Sequence, residues 1–318
     1  MTKPPLIIIA GPTAVGKTAL SIELAKRING AIISADSMQI YKYMDIGSAK
    51  IMPEEMQGIK HYLIDELSPF DEFHIVRFQE MAKYAIKEIY SNGQIPILTG
   101  GTGFYVQSIL YDIDFTKTDA DFSYRKECEE FAMKYGNEKL HEKLKEIDPV
   151  SYETIHFNNT KRVIRALEYY KVNHIPISEH NEKEREKESA YNDLYIVLTD
   201  EREHLYQNID HRVDLMVEKG LVQEVKALKD MGCTKAMVSM QGLGYKEILD
   251  YLDGQSTMEE AIDKIKLETR HFAKRQLTWF RREKNVFWVD KSEFEYNEDV
   301  ILGHILKELE RRGIIHEQ

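Results

Sequence analysis

The sequence predicts an α/β protein: a P-loop doubly wound parallel sheet core with an inserted all-helical lobe. Three observations lead there. Short apolar runs alternate with helical periodicity over residues 6–110. The first of those runs feeds directly into a glycine loop of phosphate-binding form. After a long stretch without strand pattern, two more short apolar runs appear, at 194–198 and 286–289.

Leu6 to Ala10 is unbroken apolar sequence followed by glycine, as a parallel strand buried on both faces requires. Ala19 to Ile28 follows with Leu20, Leu24 and Ile28 at helical spacing. Ala31 to Ser34 reads as a second strand and Tyr62 to Ile64 as a third. Val76 to Tyr90 is helical, with Met81, Ala85 and Ile89 on one stripe. Ile95 to Leu98 is another buried strand, running into Gly100-Gly101-Thr102-Gly103 and a further helix. Strands separated by helices make a doubly wound sheet. The pattern changes near Asp119. From there to about Asn192 only helices and charged linkers are expected, Lys161 to Val172 being the clearest helix. The run Glu179 to Ser189 mixes charges without apolar anchors and reads as a solvated arm or linker. Residues 1–118 plus 193–318 are therefore expected to form a catalytic core, interrupted by a helical insertion over 119–192.

Composition narrows the classes. A chain of 318 residues that is 42% hydrophobic can bury a substantial core. Its two cysteines, Cys128 and Cys233, form no CxxC pair, which excludes a disulfide scaffold or thiolate metal knuckle and suits a reducing compartment. His141-Glu142 lacks a second histidine at zinc-protease spacing. The apolar run at the N-terminus is too short for a secretory signal, and no stretch is long enough to span a bilayer. A cytoplasmic protein with no membrane partner is expected. The net charge of −11 argues against a general nucleic-acid coat, so any nucleic-acid site must be a local basic patch.

The residues Gly11, Pro12, Thr13, Ala14, Val15, Gly16, Lys17 and Thr18 match G-x-x-x-x-G-K-[ST] without departure. The glycines let backbone N–H groups turn inward around a phosphate. Lys17 adds positive charge, Thr18 a hydroxyl for Mg²⁺, and the following helix its N-terminal dipole. The loop alone does not say whether its polyphosphate is ATP. Asp36, at the carboxyl end of a strand expected beside this loop, is placed to coordinate Mg²⁺, to act as a general base or merely to cap a turn. Asp65 is a rival metal-holding acid. Two readings stay open on this chemistry: a small-molecule kinase and another diphosphate-using transferase. The segment Thr269 to Arg282 favours the second, because Arg270, Lys274 and Arg281 fall near one side of a helix and Arg275 and Arg282 on a second stripe. Its alternative is a solvated helix face. A non-catalytic RNA-binding module would leave the cradle without purpose.

Several blocks together resemble the tRNA dimethylallyltransferases (isopentenyltransferases), over essentially the whole chain. They are GPTAVGKT (Gly11–Thr18), DSMQIY (Asp36–Tyr41), DIGSAK (Asp45–Lys50), GGTGFY (Gly100–Tyr105) and KRQLTWFR (Lys274–Arg281), with KRVIRALE (Lys161–Glu168) and GLGYKE (Gly242–Glu247) in support. The resemblance implies that the P-loop holds the diphosphate of dimethylallyl diphosphate, with Mg²⁺, in place of ATP. It implies that Thr13, Lys17 and Thr18 contact the diphosphate, that Thr18 is the metal-side hydroxyl, and that Arg212 helps neutralise the leaving group. Asp36 matches the family's proposed base. Asp36, Ser37, Met38 and Gln39, together with Thr102 and Arg125, match tRNA-contacting positions. So do Lys161, Arg162, Val163, Ile164 and Arg165, and Gln241, Gly242, Leu243, Gly244, Tyr245 and Lys246. The last block is Lys274, Arg275, Gln276, Leu277, Thr278, Trp279, Phe280 and Arg281. The implied acceptor is the adenosine 3′ of the anticodon, gripped through the tRNA anticodon stem-loop by the helical insertion. A monomer is expected.

Overall fold

The computed structural model describes residues 3–115 and 122–316. In chain order the core begins with β1 (Pro5–Ala10), α1 (Lys17–Ile28), β2 (Gly30–Ser34), β3 (His61–Tyr62), α2 (Ile75–Ser91), β4 (Ile95–Gly100) and α3 (Gly103–Leu110). Six helices follow: α4 (Phe122–Tyr135), α5 (Asn137–Glu142), α6 (Leu144–Ile147), α7 (Pro149–Thr154), α8 (Thr160–Asn173) and α9 (Ile177–Glu186). The core then resumes with β5 (Asn192–Thr199), α10 (Arg202–Glu218), α11 (Leu221–Asp230), α12 (Tyr245–Leu252), α13 (Met258–Phe280), β6 (Val286–Asp290) and α14 (Glu298–Arg311).

By contacts the chain falls into two compact units, one of Met1–Leu110 with Ala190–Gln318 and one of Tyr111–Ser189. In the first, all six strands form one parallel sheet in the order β3-β2-β4-β1-β5-β6. Residues Leu6 to Ala10 have no exposed surface, because helices cover both faces of this central strand. The two strands flanking β1 come from distant segments, Ile7 pairing with Ile97 on one side and Leu194 on the other. The main cluster joins Ile7, Ile9, Leu24, Ile97 and Ile196 to Ile301 and Ile305 of α14. No helix among the described residues is long and apolar enough to cross a membrane.

The second unit has its own small core of Cys128, Leu140, Leu144, Val163, Ile164, Ala166 and Leu167. Asp148 is wholly buried there and fully used: it accepts from the Ser151 N–H and hydroxyl and from the Ser178 N–H and hydroxyl, which ties the start of α7 to α9.

Two local expectations need correction. The third strand is only His61–Tyr62, since Leu63 and Asp65 adopt positive φ of 61° and 56° and turn the chain out of the sheet. Much of the charged run from Glu179 is helical and not linker. Helix α9 starts at Ile177, which packs on the lobe core, and Glu179 pairs with Lys183 at 2.8 Å one turn on.

Candidate active site

The P-loop leaves the middle of the sheet and enters α1 through Gly16, whose φ of 96° suits a residue without a side chain. Helix α1 has no side-chain cap and no acidic residue in its first turn. Its orphan N–H groups and positive dipole end are thus left for an external anion. The Lys17 ammonium donates to the carbonyls of Gly11 and Pro12, at 3.1 and 2.7 Å. Thr18 is exposed at the second helical position.

Asp36 and Arg212 converge on Lys17. Burial holds the Lys17 ammonium down to about 7, the Arg212 charge pushes the same way, and Asp36 partly offsets both. Burial likewise lowers Arg212, again opposed by Asp36. The three groups come from the first residue of α1, the segment after β2 and the middle of α10. Such a concentration of partly desolvated cations around one carboxylate is costly without a polyanion to complete it.

The sheet order corrects one detail: β4 lies between β1 and β2, so the strand leading to Asp36 is not the P-loop's neighbour. The gap is crossed because Ala35 rides directly over Gly100, where an added Cβ would lie 2.3 Å from the Ala35 oxygen. Ala35 N–H donates to the Thr99 carbonyl at 2.7 Å in the same crossing. Asp36 Oδ1 accepts from the Met38 N–H at 2.8 Å, so the turn-capping role is real as well.

Asp65 is exposed, and its carboxylate meets the buried Lys50 ammonium at 2.5 Å. Lys50 also binds Asp45 at 2.6 Å and the Tyr41 carbonyl at 2.6 Å. The rival metal acid is therefore part of a loop clasp.

The remaining expected residues separate by burial. Gln39 spends its amide inside the protein, donating to the Ala49 carbonyl and accepting from the Ser34 hydroxyl. The Met38 methyl lies against Gly242, which joins the 36–39 and 241–246 segments. Ser37, Thr102, Leu243 and Lys246 are half-buried, Gln241 is exposed, and Gly244 and Tyr245 are buried. On α8, Lys161 and Arg162 are exposed and Arg165 is half-buried, whereas Val163 and Ile164 are core. Arg125 is held bidentate by Glu168, at 2.9 and 2.8 Å. On α13, Lys274, Arg275, Thr278 and Arg281 are exposed, Leu277 and Trp279 half-buried, and Gln276 and Phe280 buried.

Gln276, expected to contact tRNA, and two residues outside every expected block, Glu224 and Lys291, hold the site together. Gln276 accepts from the Thr13 N–H and donates to the Gly101 carbonyl, both at 2.9 Å, and so braces the P-loop against β4. Glu224 on α11 accepts the N–H groups of Asp45, Ile46 and Gly47 at 2.8, 2.7 and 3.0 Å and the Tyr245 hydroxyl at 2.8 Å. It clasps the DIGSAK loop to the GLGYKE segment. Lys291 pairs with Glu298 at 2.6 Å while its ammonium abuts Gly16. Of the two outside the blocks, Glu224 carries a signal, as an acid in the first turn of a helix; the bracing role of Gln276 leaves no local mark, because its partners are distant in sequence.

A parallel sheet, an uncapped helix start beyond its central strand and a carboxylate among desolvated cations define a P-loop α/β enzyme. The chain belongs to the IPP transferase family, whose model matches residues 39–283. It is 58% identical over 312 residues to the tRNA dimethylallyltransferase of Lachnoclostridium phytofermentans, covering 98% of this chain and 99% of that one. The tRNA dimethylallyltransferase of Acetivibrio thermocellus is 55% identical over 296 residues, covering 93% and 95%. Among solved structures, the full-length tRNA isopentenylpyrophosphate transferase of Bacillus halodurans matches with a TM-score of 0.73, 47% identity and 98% coverage of each chain. A eukaryotic dimethylallyltransferase acting on tRNA matches with a TM-score of 0.84 at 28% identity, over 99% of this chain and 81% of that one.

Proposed function

We propose that this chain transfers a dimethylallyl group from dimethylallyl diphosphate to the exocyclic N6 of the adenosine 3′ of the anticodon in tRNA, releasing diphosphate. The convergence of Lys17, Arg212 and Asp36 at an uncapped P-loop carries the reading. Similarity to enzymes named for this reaction supports it.

The adenine amine is a weak nucleophile, its lone pair being delocalised into the ring. The allylic carbon compensates, because charge developing on it spreads over the double bond. As the C–O bond breaks, its electron pair leaves with the diphosphate, where the uncapped N–H groups at the start of α1, Lys17 and Arg212 stabilise it. Thr13, fixed through its N–H by Gln276, is assigned to the same diphosphate. The C–N bond forms on the amine, and Asp36 takes the amine proton, a role worth about 10²–10⁴-fold.

Mg²⁺ fits the donors present. The Thr18 hydroxyl makes no hydrogen bond among the described residues, and those residues contain no group of three His, Cys, Asp or Glu side chains suited to a metal. Thr18, diphosphate oxygens and water would hold the ion, a ligation magnesium favours over a protein cage. Bound there, it adds charge stabilisation on the departing diphosphate.

The target base must leave its stack, which an unpaired loop permits at low cost. The exposed members of the expected blocks, notably Lys161, Arg162, Lys274, Arg275 and Arg281, are assigned to tRNA contact, as is Arg125, and in the core Thr102 and the 36–39 and 241–246 segments are assigned to it as well. We assign the reaction to the cytoplasm, where Cys128 and Cys233 stay reduced. A single chain suffices, since it supplies every cradle residue named.

Incubation with labelled dimethylallyl diphosphate, Mg²⁺ and unmodified tRNA tests the reading: label should appear on one adenosine. ATP consumption without alkylation of RNA would overturn it.

A further inference from the structure

A second cleft opens at the carboxyl ends of β5 and β6, on the edge of the sheet that carries the P-loop. Its volume of about 600 Å³ is in the range of small-ligand sites. Trp288 and Asp290 stand at its floor, in register with Val197 and Thr199 of the neighbouring strand. The first turns of α10 form one wall and the last turns of α13 the other.

The two acids of the lining are already spent. Asp200 accepts from the Glu201 N–H at 2.7 Å and the Tyr296 hydroxyl at 3.1 Å, and bonds the His204 ring at 2.7 Å. Asp290 accepts from the Ser292 N–H and hydroxyl at 3.0 and 2.7 Å. The three cations are not: among the described residues Arg202, Lys274 and Arg281 have no ion-pair partner. Arg270, one turn earlier on α13, shows the contrast, closed on both oxygens of Asp210 at 2.8 and 2.6 Å. In a chain of net charge −11, three neighbouring unpaired cations are an unusual concentration. An aromatic surface accompanies them. Trp288 is 40% exposed, and the Arg202 guanidinium lies 5.2 Å from the Tyr206 ring centre. Arg270 lies 6.0 Å from the same Tyr206 ring, so the free aromatic surface is that of Trp288, and cations beside it suit a ligand with both an anionic backbone and a flat base.

We propose that this cleft takes one unpaired nucleotide of the RNA substrate, other than the target adenosine, with its base on Trp288 and its phosphates between Arg202, Lys274 and Arg281. The proposal rests on the tRNA reading above and adds Arg202, Tyr206 and Trp288 to it.

The test titrates the full-length protein and its Trp288→Ala, Trp288→Phe and Arg202→Gln variants with an unmodified anticodon stem-loop and, separately, with AMP. The stem-loop should quench tryptophan emission more in the wild type than in Trp288→Phe, whose remaining emission comes from Trp279 alone. Trp288→Ala should raise the stem-loop Kd about tenfold, while Trp288→Phe, which keeps a stacking face, stays close to wild type. Arg202→Gln should flatten the salt dependence of binding. The KM for dimethylallyl diphosphate should not move in any variant. A Trp288→Ala protein with wild-type RNA affinity overturns the proposal, as does a response to AMP with none to the stem-loop, which would give the cleft to a free nucleotide. If Trp288→Ala fails to fold, the quench difference and the Arg202→Gln slope decide. Wild-type protein that alkylates tRNA while these variants bind normally defeats the subsite alone; wild-type protein that alkylates no RNA defeats the parent reading.

Discussion

Asp36 uses one carboxylate oxygen to cap the turn at Met38, so a substitution that keeps the cap separates structure from chemistry. Asn retains the accepting oxygen and cannot take a proton. Asp36→Asn should therefore leave tRNA affinity near normal and lower kcat by about a hundredfold or more, measured in single-turnover assays. Near-normal turnover would remove Asp36 from the base role. Lys17 makes a second prediction. Burial, with Arg212 beside it, holds its ammonium down to about 7, against an ordinary value of 10.5. Above pH 7 the free enzyme has lost this proton, and a bound diphosphate raises the pKa by bringing negative charge beside it. Binding then takes up a proton, and affinity falls as pH rises from about 7 toward the pKa of the bound state. Calorimetry with inorganic diphosphate and Mg²⁺ at pH 8, in two buffers of different ionisation heat, should show net uptake after the ligand's own exchange is subtracted. No uptake would mean that Lys17 is already charged in the free site.

At the scale of elements, two braces hold the catalytic loops. Glu224→Ala would strand three N–H groups of the 45–47 loop and should cost about 3 kcal/mol, seen as a lower Tm, with Glu224→Gln milder because one oxygen still accepts. Gly101→Ala would put a methyl 2.0 Å from the Gln276 amide nitrogen. It should push that amide off Thr13 and raise the KM for dimethylallyl diphosphate more than it changes tRNA affinity. Neither brace was legible in the sequence, because Gln276 and Glu224 act across distant segments. What was legible is what local rules dictate: the glycine loop between a buried strand and a helix, and the strands from Leu194 and Val286. The charged run after Glu179 misled because its anchors, Pro176 and Ile177, lie just upstream of it. The family blocks do not distinguish inward from outward positions. They are linear strings, whereas a helix turns every third or fourth residue inward, so Val163, Ile164, Gln276 and Phe280 fall inside while their neighbours face solvent.

For the molecule as a whole, the deficit of positive charge makes RNA binding depend on a few unpaired cations. Lys274→Ala and Arg275→Ala should each weaken tRNA binding and reduce the slope of log K against log salt by about 0.7–0.9. An unchanged slope would turn the patch into an ordinary solvated helix face. Arg212 was found by likeness alone, since nothing in the periodicity of α10 marks one arginine among its charges, whereas Asp36 was marked as a candidate by its place after a strand; sheet topology is what brings both to Lys17. The same topology has a modular side. Leu110 and Ala190, where the chain leaves and rejoins the core, are bridged by a single backbone hydrogen bond of 2.9 Å. The intervening segment is thus spliced in at one seam, like a cassette whose two ends share a socket. Excising it at that seam and closing the cut with a short turn would leave every strand its present neighbours, a route to a miniature diphosphate binder.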